Sequence, residues 1–136
     1  MNTWEIIPNL WQANLPGALG AQADLMVTCS HLGEITVLSD LLKGVRCHIL
    51  WPFLDVPRLP DGMEQLRRVA FFAAVEHKHG SKVVVHCNEG LDRSGLVLGL
   101  ILYAEGVKDV LGIIQKAHPE ALTKNRLFAD YVKSLG

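Results

Sequence analysis

The chain has 136 residues, of which 49% are hydrophobic and 20% charged, and its net charge at pH 7 is −1. This composition can fill one hydrophobic core and excludes an intrinsically disordered chain. The small net charge excludes a general attraction to nucleic acid or acidic membranes. We expect one domain over residues 1–136, in which any anion-binding site is a local feature.

The location and the redox state also follow from composition. No apolar run approaches the roughly 18 to 20 residues that cross a bilayer, and the first residues lack the pattern of a signal peptide. Three cysteines without a Cys-x-x-Cys pair fit neither a disulfide framework nor a zinc site. The six histidines have no metal-ligand spacing. We therefore expect a cytoplasmic protein without a metal or cofactor.

The apolar pattern predicts alternating strands and helices. In chain order these are strands over 4–7, 10–13, 24–29 and 45–51, a helix over 62–78, a strand over 82–87, and helices over 93–105, 107–117 and 124–135. The unbroken run Val83-Val84-Val85 is typical of a parallel strand that is covered on both faces. Asp61, three positions before Glu64, is predicted to cap the first helix.

This order of elements predicts an α/β fold with a central, mostly parallel sheet flanked by helices. The helix over 93–105 is apolar on most sides, so it is expected in the middle of the domain. The turn before this helix should then lie at the carboxyl edge of a central strand. Open α/β sheets bind ligands at that edge.

The sequence of that turn indicates phosphate chemistry. It reads His86-Cys87-Asn88-Glu89-Gly90-Leu91-Asp92-Arg93-Ser94-Gly95. A tight turn at a helix N-terminus presents convergent backbone N–H groups, so those of Asn88 to Arg93 are expected to bind a phosphate. Cys87 would be the nucleophile, Arg93 a bidentate clamp, and Ser94 a hydrogen-bond donor that helps the sulfur to leave. By chance, such a pattern would arise about once in several hundred chains of this composition.

A phosphatase of this kind also needs an acid to protonate the departing oxygen. The segment 51–61 leaves the carboxyl edge of the preceding strand, and Pro52 and Pro57 bracket Asp55 within it. We therefore predict Asp55 as the general acid and later the general base. Asp61 and Asp92 are the alternatives.

These residues resemble a known family. His-Cys-x5-Arg-Ser-Gly after a valine-rich strand resembles the signature of the protein tyrosine phosphatase superfamily, specifically its small dual-specificity-like branch. The Trp-Pro-Phe-x-Asp segment is similar to the mobile acid loop of that branch. His118-Pro119-Glu120-Ala121-Leu122-Thr123-Lys124-Asn125 resembles a stretch of small bacterial members. The resemblance implies a dual-specificity phosphatase-like fold and gives Cys87, Arg93, Asp55 and Ser94 the catalytic roles above. It also makes Asn125 a candidate for positioning the hydrolytic water, although Asn125 also fits a plain helix start.

The implied activity is metal-independent hydrolysis of phosphomonoesters through a phosphocysteine. Because no long recognition insertion deepens the pocket, phosphotyrosine and phosphoserine or phosphothreonine are expected substrates. A phosphoinositide or nucleotide phosphatase on the same scaffold is one alternative, and a non-catalytic phosphoprotein-binding module is another. The expected partner is thus a phosphorylated protein or a small phosphomonoester, with no nucleic acid. The sequence leaves the oligomeric state open.

The remaining cysteines and histidines carry secondary predictions. Cys29 is either a small buried residue or a resolving cysteine that forms a disulfide with oxidised Cys87. Cys47 is predicted to be buried. His86 is expected to brace the turn rather than act as a base, and His77 and His79 to lie on a solvated helix end.

Overall fold

A computed structural model of the chain describes residues 3–31 and 38–136. Within these residues it contains five strands and six helices. They are β1 (Thr3–Ile7), β2 (Leu10–Ala13), α1 (Leu15–Leu19), β3 (Ala23–Thr28), α2 (Leu38–Leu41), β4 (Val45–Leu50), α3 (Met63–Lys78), β5 (Val83–His86), α4 (Arg93–Ala104), α5 (Val110–Ala117) and α6 (Arg126–Ser134).

The described strands form one sheet in the order β1-β2-β5-β3-β4. β5 pairs in parallel with β2 and β3, β4 pairs in parallel with β3, and only β1 is antiparallel to its neighbour β2. The strand that precedes Cys87 is therefore the central strand. The predicted α/β fold with a mostly parallel sheet is confirmed.

Alternate residues of the strands face two helical layers. Val83 and Val85 pack into the larger core, which α3, α4, α5 and α6 complete. Val84 and Met26 face the smaller core, to which α1 and α2 contribute. The valine run of β5 is buried on both sides, as predicted for an inner parallel strand.

Helix α4 lies at the centre of the larger layer, and residues 93 to 102 are all buried. Its two glycines permit close packing. A Cβ at Gly95 would lie 2.7 Å from Leu122 Cγ, and a Cβ at Gly99 would lie 2.8 Å from Val132 Cγ2 of α6. The predicted central position of this helix is confirmed, and Gly106 closes it in the left-handed conformation with φ +81°.

Several local predictions are wrong. Asp61 does not cap α3: the N-cap is Gly62, with φ +75° and no side-chain cap bond, so the chain turns after Asp61. Cys47 is exposed because β4 is the edge strand of the described sheet. The His77 ring is only 10% exposed, because its Nδ1 lies 2.7 Å from Glu105 Oε2 and its Nε2 lies 2.7 Å from the carbonyl oxygen of Pro8.

Helices α1 and α2 were not predicted, since four or five residues are too few for a helical period. Local signals for α1 do exist. The side chain of Asn14 accepts a hydrogen bond from the backbone N–H of Gly17 at 2.9 Å, and Pro16 stands in the first turn. This pattern of cap and proline is a usual helix start.

A buried hydroxyl joins three strands behind the Cys87 turn. Thr28 Oγ1 of β3 lies 2.8 Å from His86 Nε2 of β5 and 2.7 Å from His48 Nε2 of β4. Burial lowers the pKa of His86 to about 4 and also lowers the pKa of His48, so both rings are neutral at pH 7. The ring of His86 is thus tied to β3, and its expected role in bracing the turn stays a prediction.

The pKa of His86 predicts how stability depends on pH. Between pH 6.5 and about 4 the unfolded chain binds a proton at this ring that the folded chain does not, so stability falls as the pH is lowered through this range. The contribution is about 3 kcal/mol over the range. Urea unfolding at pH 7, 5.5 and 4.5 should give a shallower pH dependence for His86→Gln than for the unmodified chain.

His79→Gln provides the matched control, because His79 is an exposed histidine at the end of α3. It should keep the pH dependence of the unmodified chain. An unchanged slope in His86→Gln would contradict the prediction.

Candidate active site

The turn between β5 and α4 is shaped by a close backbone approach. Cys87 follows the last residue of β5 and is 2% exposed, and Asp92 is the N-cap of α4. Gly90 has φ +71°, and a Cβ at this position would lie 2.7 Å from the backbone nitrogen of Asn14. A side chain here would therefore meet both an unfavourable conformation and a backbone clash.

Two carbonyl groups of this turn point to neighbouring segments. Asn88 O accepts a hydrogen bond from Leu15 N at 3.1 Å, and Leu91 O accepts one from Leu122 N at 3.2 Å. Because the C=O and N–H of a trans peptide point in opposite directions, the N–H groups of the following residues, Glu89 and Asp92, point to the inner side of the turn. Such an arrangement at a helix N-terminus can bind an anion.

The three predicted residues of the motif are all buried. Cys87 Sγ is 3.2 Å from Ser94 Oγ. Arg93 begins α4, is 8% exposed, and donates from Nη1 to the carbonyl oxygen of Phe53 at 3.4 Å. The cysteine and the hydroxyl are therefore in contact, and the guanidinium contacts the segment that contains Asp55.

Segment 51–61 is attached across the end of the sheet. Trp51 N donates to Thr28 O at 2.9 Å and Phe53 N donates to Cys29 O at 3.3 Å. The ring of Phe53 is buried and packs edge-on against Phe128 of α6, with ring centroids 6.1 Å apart. The segment therefore hangs over the same edge as the Cys87 turn, as predicted, and leaves the side chain of Asp55 exposed.

Asn125 connects this segment to the turn. Its Nδ2 donates to Asp55 Oδ1 at 2.7 Å and to Val56 O at 2.9 Å, and its backbone N–H donates to Asp92 Oδ1 at 3.0 Å. Its own Oδ1 accepts from Phe128 N at 3.2 Å, so Asn125 is also the N-cap of α6. The helix-start interpretation is confirmed, and a role in positioning water stays a prediction.

The alternative acids have different surroundings. Asp92 is buried, and burial raises the pKa of its carboxyl group, while the hydrogen bond from Asn125 N opposes this effect. Asp61 is exposed and lines a different cleft from the one that Asp55 and Asn125 share. Of the three aspartates, Asp55 is both exposed and held by a contact of its carboxylate with the site.

Cys29 lies beside the nucleophile position. Thr28 and His86 are paired in the parallel register of β3 and β5, and Cys29 N donates to His86 O at 2.9 Å. Cys29 is fully buried; burial raises the pKa of its thiol well above the usual value, and the neighbouring Cys87 raises it further. The predicted adjacency of the two strands is confirmed, and Cys29 lies at the same edge as Cys87.

Sequence reasoning missed one buried contact of the site. Gln12 of β2 is fully buried, and its Nε2 donates to Ser94 Oγ at 2.8 Å. A glutamine in a strand beside the central strand was the available signal, since a buried amide needs hydrogen-bond partners. A cleft of about 610 Å³ opens beside the turn and is lined by Trp4, by His118 and by the exposed pair Glu89–Lys124.

The described part of the chain offers neither a cluster of metal ligands nor a membrane-spanning helix. No group of three or more His, Cys, Asp and Glu side chains within it is placed to hold a metal ion. None of the helices in residues 3–31 and 38–136 is long and apolar enough to cross a membrane.

Comparison with known proteins identifies the fold. No protein-family model matches the sequence, and no curated protein matches it. Among solved structures, human DUSP28 matches with 17% identity over 99% of this chain and 93% of that chain, with a TM-score of 0.76. Tk-PTP in its active form matches with 23% identity over 98% and 95%, with a TM-score of 0.74. The human tyrosine phosphatase-like serine/threonine/tyrosine-interacting protein matches with 18% identity over 97% and 93%, also with a TM-score of 0.74. The chain therefore has the fold of the dual-specificity phosphatases.

Proposed function

We propose that this chain is a cysteine-dependent phosphatase of the protein tyrosine phosphatase superfamily, with one catalytic domain over residues 1–136. The observation that carries the proposal is Cys87, buried at the start of the turn with its sulfur 3.2 Å from Ser94 Oγ, while Arg93 begins the helix after the turn. The fold shared with dual-specificity phosphatases supports the same activity. The residue types and their order match the requirements of phosphoryl transfer to sulfur.

In the first step, the Cys87 thiolate attacks the phosphorus of a phosphomonoester. A P–S bond forms as the P–O bond to the leaving group breaks, and the leaving oxygen takes a proton from the Asp55 carboxyl group. The amides of residues 88–93 and the guanidinium of Arg93 bind the three equatorial oxygens, where the charge of the transition state is spread. No metal ion takes part in this scheme.

In the second step, water hydrolyses the phosphocysteine. Its oxygen attacks the phosphorus while the Asp55 carboxylate takes its proton, and the P–S bond breaks with the electron pair on Cys87 sulfur. The hydroxyl of Ser94 stabilises the departing thiolate by donating a hydrogen bond. Asn125 acts here through its bond to Asp55 Oδ1, which sets where that carboxylate meets the water.

The charges around the turn favour a phosphoprotein over a polyanionic headgroup. Glu89 is exposed and lines the cleft beside the turn, and Lys124 Nζ is paired with Glu89 Oε2 at 3.0 Å. Glu120 lines the same cleft, and among the described residues that line it the one lysine, Lys124, is already paired. We therefore propose phosphotyrosine and phosphoserine or phosphothreonine in proteins as substrates, ahead of inositol lipids and nucleotides.

The alternative function outside the enzymes is that of a phosphoprotein-binding module without turnover. One structural neighbour is named as phosphatase-like and as an interacting protein, so the fold alone does not imply catalysis. The presence of Cys87, Arg93, Asp55 and Ser94 in this chain favours the enzyme. Hydrolysis by the unmodified protein separates the two alternatives.

The first test is hydrolysis of a small aryl phosphate in the presence of EDTA. The unmodified chain should turn over and Cys87→Ser should not, because a serine hydroxyl at this position is a far weaker nucleophile than a thiolate. Cys47→Ser, at an exposed position in the edge strand β4, is the matched control and should keep full activity. Equal activity in Cys87→Ser and the unmodified chain would reject the mechanism.

The second test concerns the acid. Asp55→Ala should slow hydrolysis of esters with poor leaving groups by about 10²- to 10⁴-fold and that of activated aryl phosphates much less, since only the former need the proton. Asn125→Ala should act in the same direction but less strongly, because it removes a contact of Asp55 and leaves the carboxylate in place. If Asp92→Ala or Asp61→Ala gives the leaving-group dependence instead, Asp55 is not the acid.

We also propose that Cys29 resolves an oxidised Cys87. Peroxide would convert the Cys87 thiolate to a sulfenic acid, and the sulfur of Cys29 would attack it to form a disulfide with release of water. The two residues follow paired positions of adjacent strands, which lie about 4.8 Å apart, and disulfides join Cα atoms at about 4.4–6.8 Å. The raised pKa of Cys29 keeps it protonated, so the reaction should be slow at pH 7 and faster at higher pH.

Mild peroxide treatment tests this proposal. A peptide map should contain a Cys29–Cys87 crosslink, formed faster at pH 9 than at pH 7, and dithiothreitol should restore activity. Cys29→Ser should lose both the crosslink and the recovery, whereas Cys47→Ser should keep them. Absence of the crosslink from the unmodified chain at both pH values would refute the proposal.

A further inference from the structure

A buried glutamine contacts the hydroxyl that faces the nucleophile. Gln12 Nε2 lies 2.8 Å from Ser94 Oγ and 3.3 Å from the carbonyl oxygen of Leu91. A carbonyl oxygen can only accept, so the amide nitrogen must be the atom on this side. Gln12 therefore donates to Ser94 Oγ, and the hydroxyl oxygen is an acceptor in this contact.

The other end of the amide is held by a histidine. His118 Nδ1 lies 3.0 Å from Gln12 Oε1, and both side chains are buried. Since Oε1 can only accept, Nδ1 carries a proton, and it does so in the charged and the neutral form of the ring alike. Trp4 stacks on this ring with centroids 3.6 Å apart and planes 6° apart, which fixes its orientation.

The Cys87 thiolate has no hydrogen to donate, so in its contact with Ser94 the hydroxyl must be the donor. The Ser94 oxygen then accepts from Gln12, and its hydrogen points to Cys87 Sγ at 3.2 Å. We infer that Gln12, held by His118, is a positioning residue that directs the Ser94 hydroxyl hydrogen to the sulfur of Cys87. The inference rests on the proposed phosphatase mechanism and assigns a role to the strand β2, which lies outside the Cys-x5-Arg turn.

The chemical consequence falls on the second step. When the P–S bond breaks, the sulfur keeps the electron pair, and a hydrogen bond that is already directed at it stabilises the thiolate without reorganisation. No proton moves along the chain of contacts in this scheme. Gln12 and His118 only hold the donor in place, so neither is a catalytic residue.

Packing of the core does not by itself require an amide side chain at position 12. Gln12 is fully buried between β1 and the central strand, where an apolar side chain would need no hydrogen-bond partners. All three of its bonds lead to the Cys87 turn or to His118. The contacts of Gln12 are therefore directed at the site, although the fold could be completed without them.

Two substitutions at Gln12 test the direction of the hydrogen bond. Gln12→Met keeps the volume and removes the donor, and Gln12→Glu replaces the donor with an acceptor that draws the Ser94 hydrogen away from the sulfur. In both, the midpoint of the pH profile for alkylation of Cys87 by iodoacetamide should rise, by about one pH unit for the methionine variant. Breakdown of the phosphoenzyme should slow by about tenfold, so that aryl alcohol is released in a larger burst.

A double-variant cycle with Ser94→Ala separates positioning from general stability. If Gln12 acts through the Ser94 hydroxyl, Gln12→Met should have no further effect on the alkylation midpoint or on phosphoenzyme breakdown when Ser94 is already alanine. Gln115→Met is the matched control: Gln115 donates to Ala121 O at 3.0 Å, away from the sulfur, and its variant should match the unmodified chain in both measurements.

Two results would overturn the inference. One is an unmodified alkylation profile and burst in a folded Gln12→Met protein, and the other is an effect of equal size in the presence and absence of Ser94. The alkylation profile does not require turnover. If the unmodified chain failed to hydrolyse any phosphate ester, the proposed function would fail while the directed hydrogen bond could still be measured.

Discussion

The site depends on one close approach, in which the turn after β5 passes against the backbone of the Ala13–Asn14 segment. Gly90 makes this contact, with φ +71° and the backbone nitrogen of Asn14 only 2.7 Å from where a Cβ would lie. The approach lets Asn88 O accept a hydrogen bond from Leu15 N, so the following N–H group, that of Glu89, points to the inner side of the turn. A side chain at position 90 would push the two segments apart and weaken this bond. The N-terminal strands therefore support the turn even though they contain none of the residues Cys87, Arg93, Asp55 and Ser94.

A second constraint couples Asp55 to the turn after β5. Asn125 bonds to the carboxylate of Asp55 through its side chain and to the carboxylate of Asp92 through its backbone, and it also begins α6. Its side-chain amide is thus shared between the cap of α6, through Oδ1, and segment 51–61, through Nδ2. Because these are different atoms, loss of the Asp55 contact would leave the cap and the Asp92 bond in place. The position of the Asp55 carboxylate is therefore coupled to the turn through Asn125.

The sequence predicted those features that depend on local pattern. The valine run predicted the central strand β5, and the apolar stretch after it predicted the buried helix α4. The spacing of Cys87, Arg93 and Ser94 predicted a turn between this strand and this helix. The wrong or missing predictions depend on contacts between distant segments. Cys47 is exposed because β4 has a neighbour on only one side among the described strands, and His77 is buried because Glu105 lies against it from the next helix. Gln12 was missed for the same reason, since its partners are 79 to 106 residues away along the chain.

The buried polar side chains are gathered around the carboxyl end of β5, which bears on what they do. On one side of this strand, Thr28 bonds to His86 and His48, and on the other side Gln12 bonds to Ser94 and His118. The cores on both faces of the sheet are otherwise built from apolar residues. Because a buried polar group lowers stability unless each hydrogen bond is made, a fold that needed only stability would gain little from this concentration. What such networks supply is direction: the bonds of Gln12 orient Ser94 and His118, and the bonds of Thr28 orient His86 and His48.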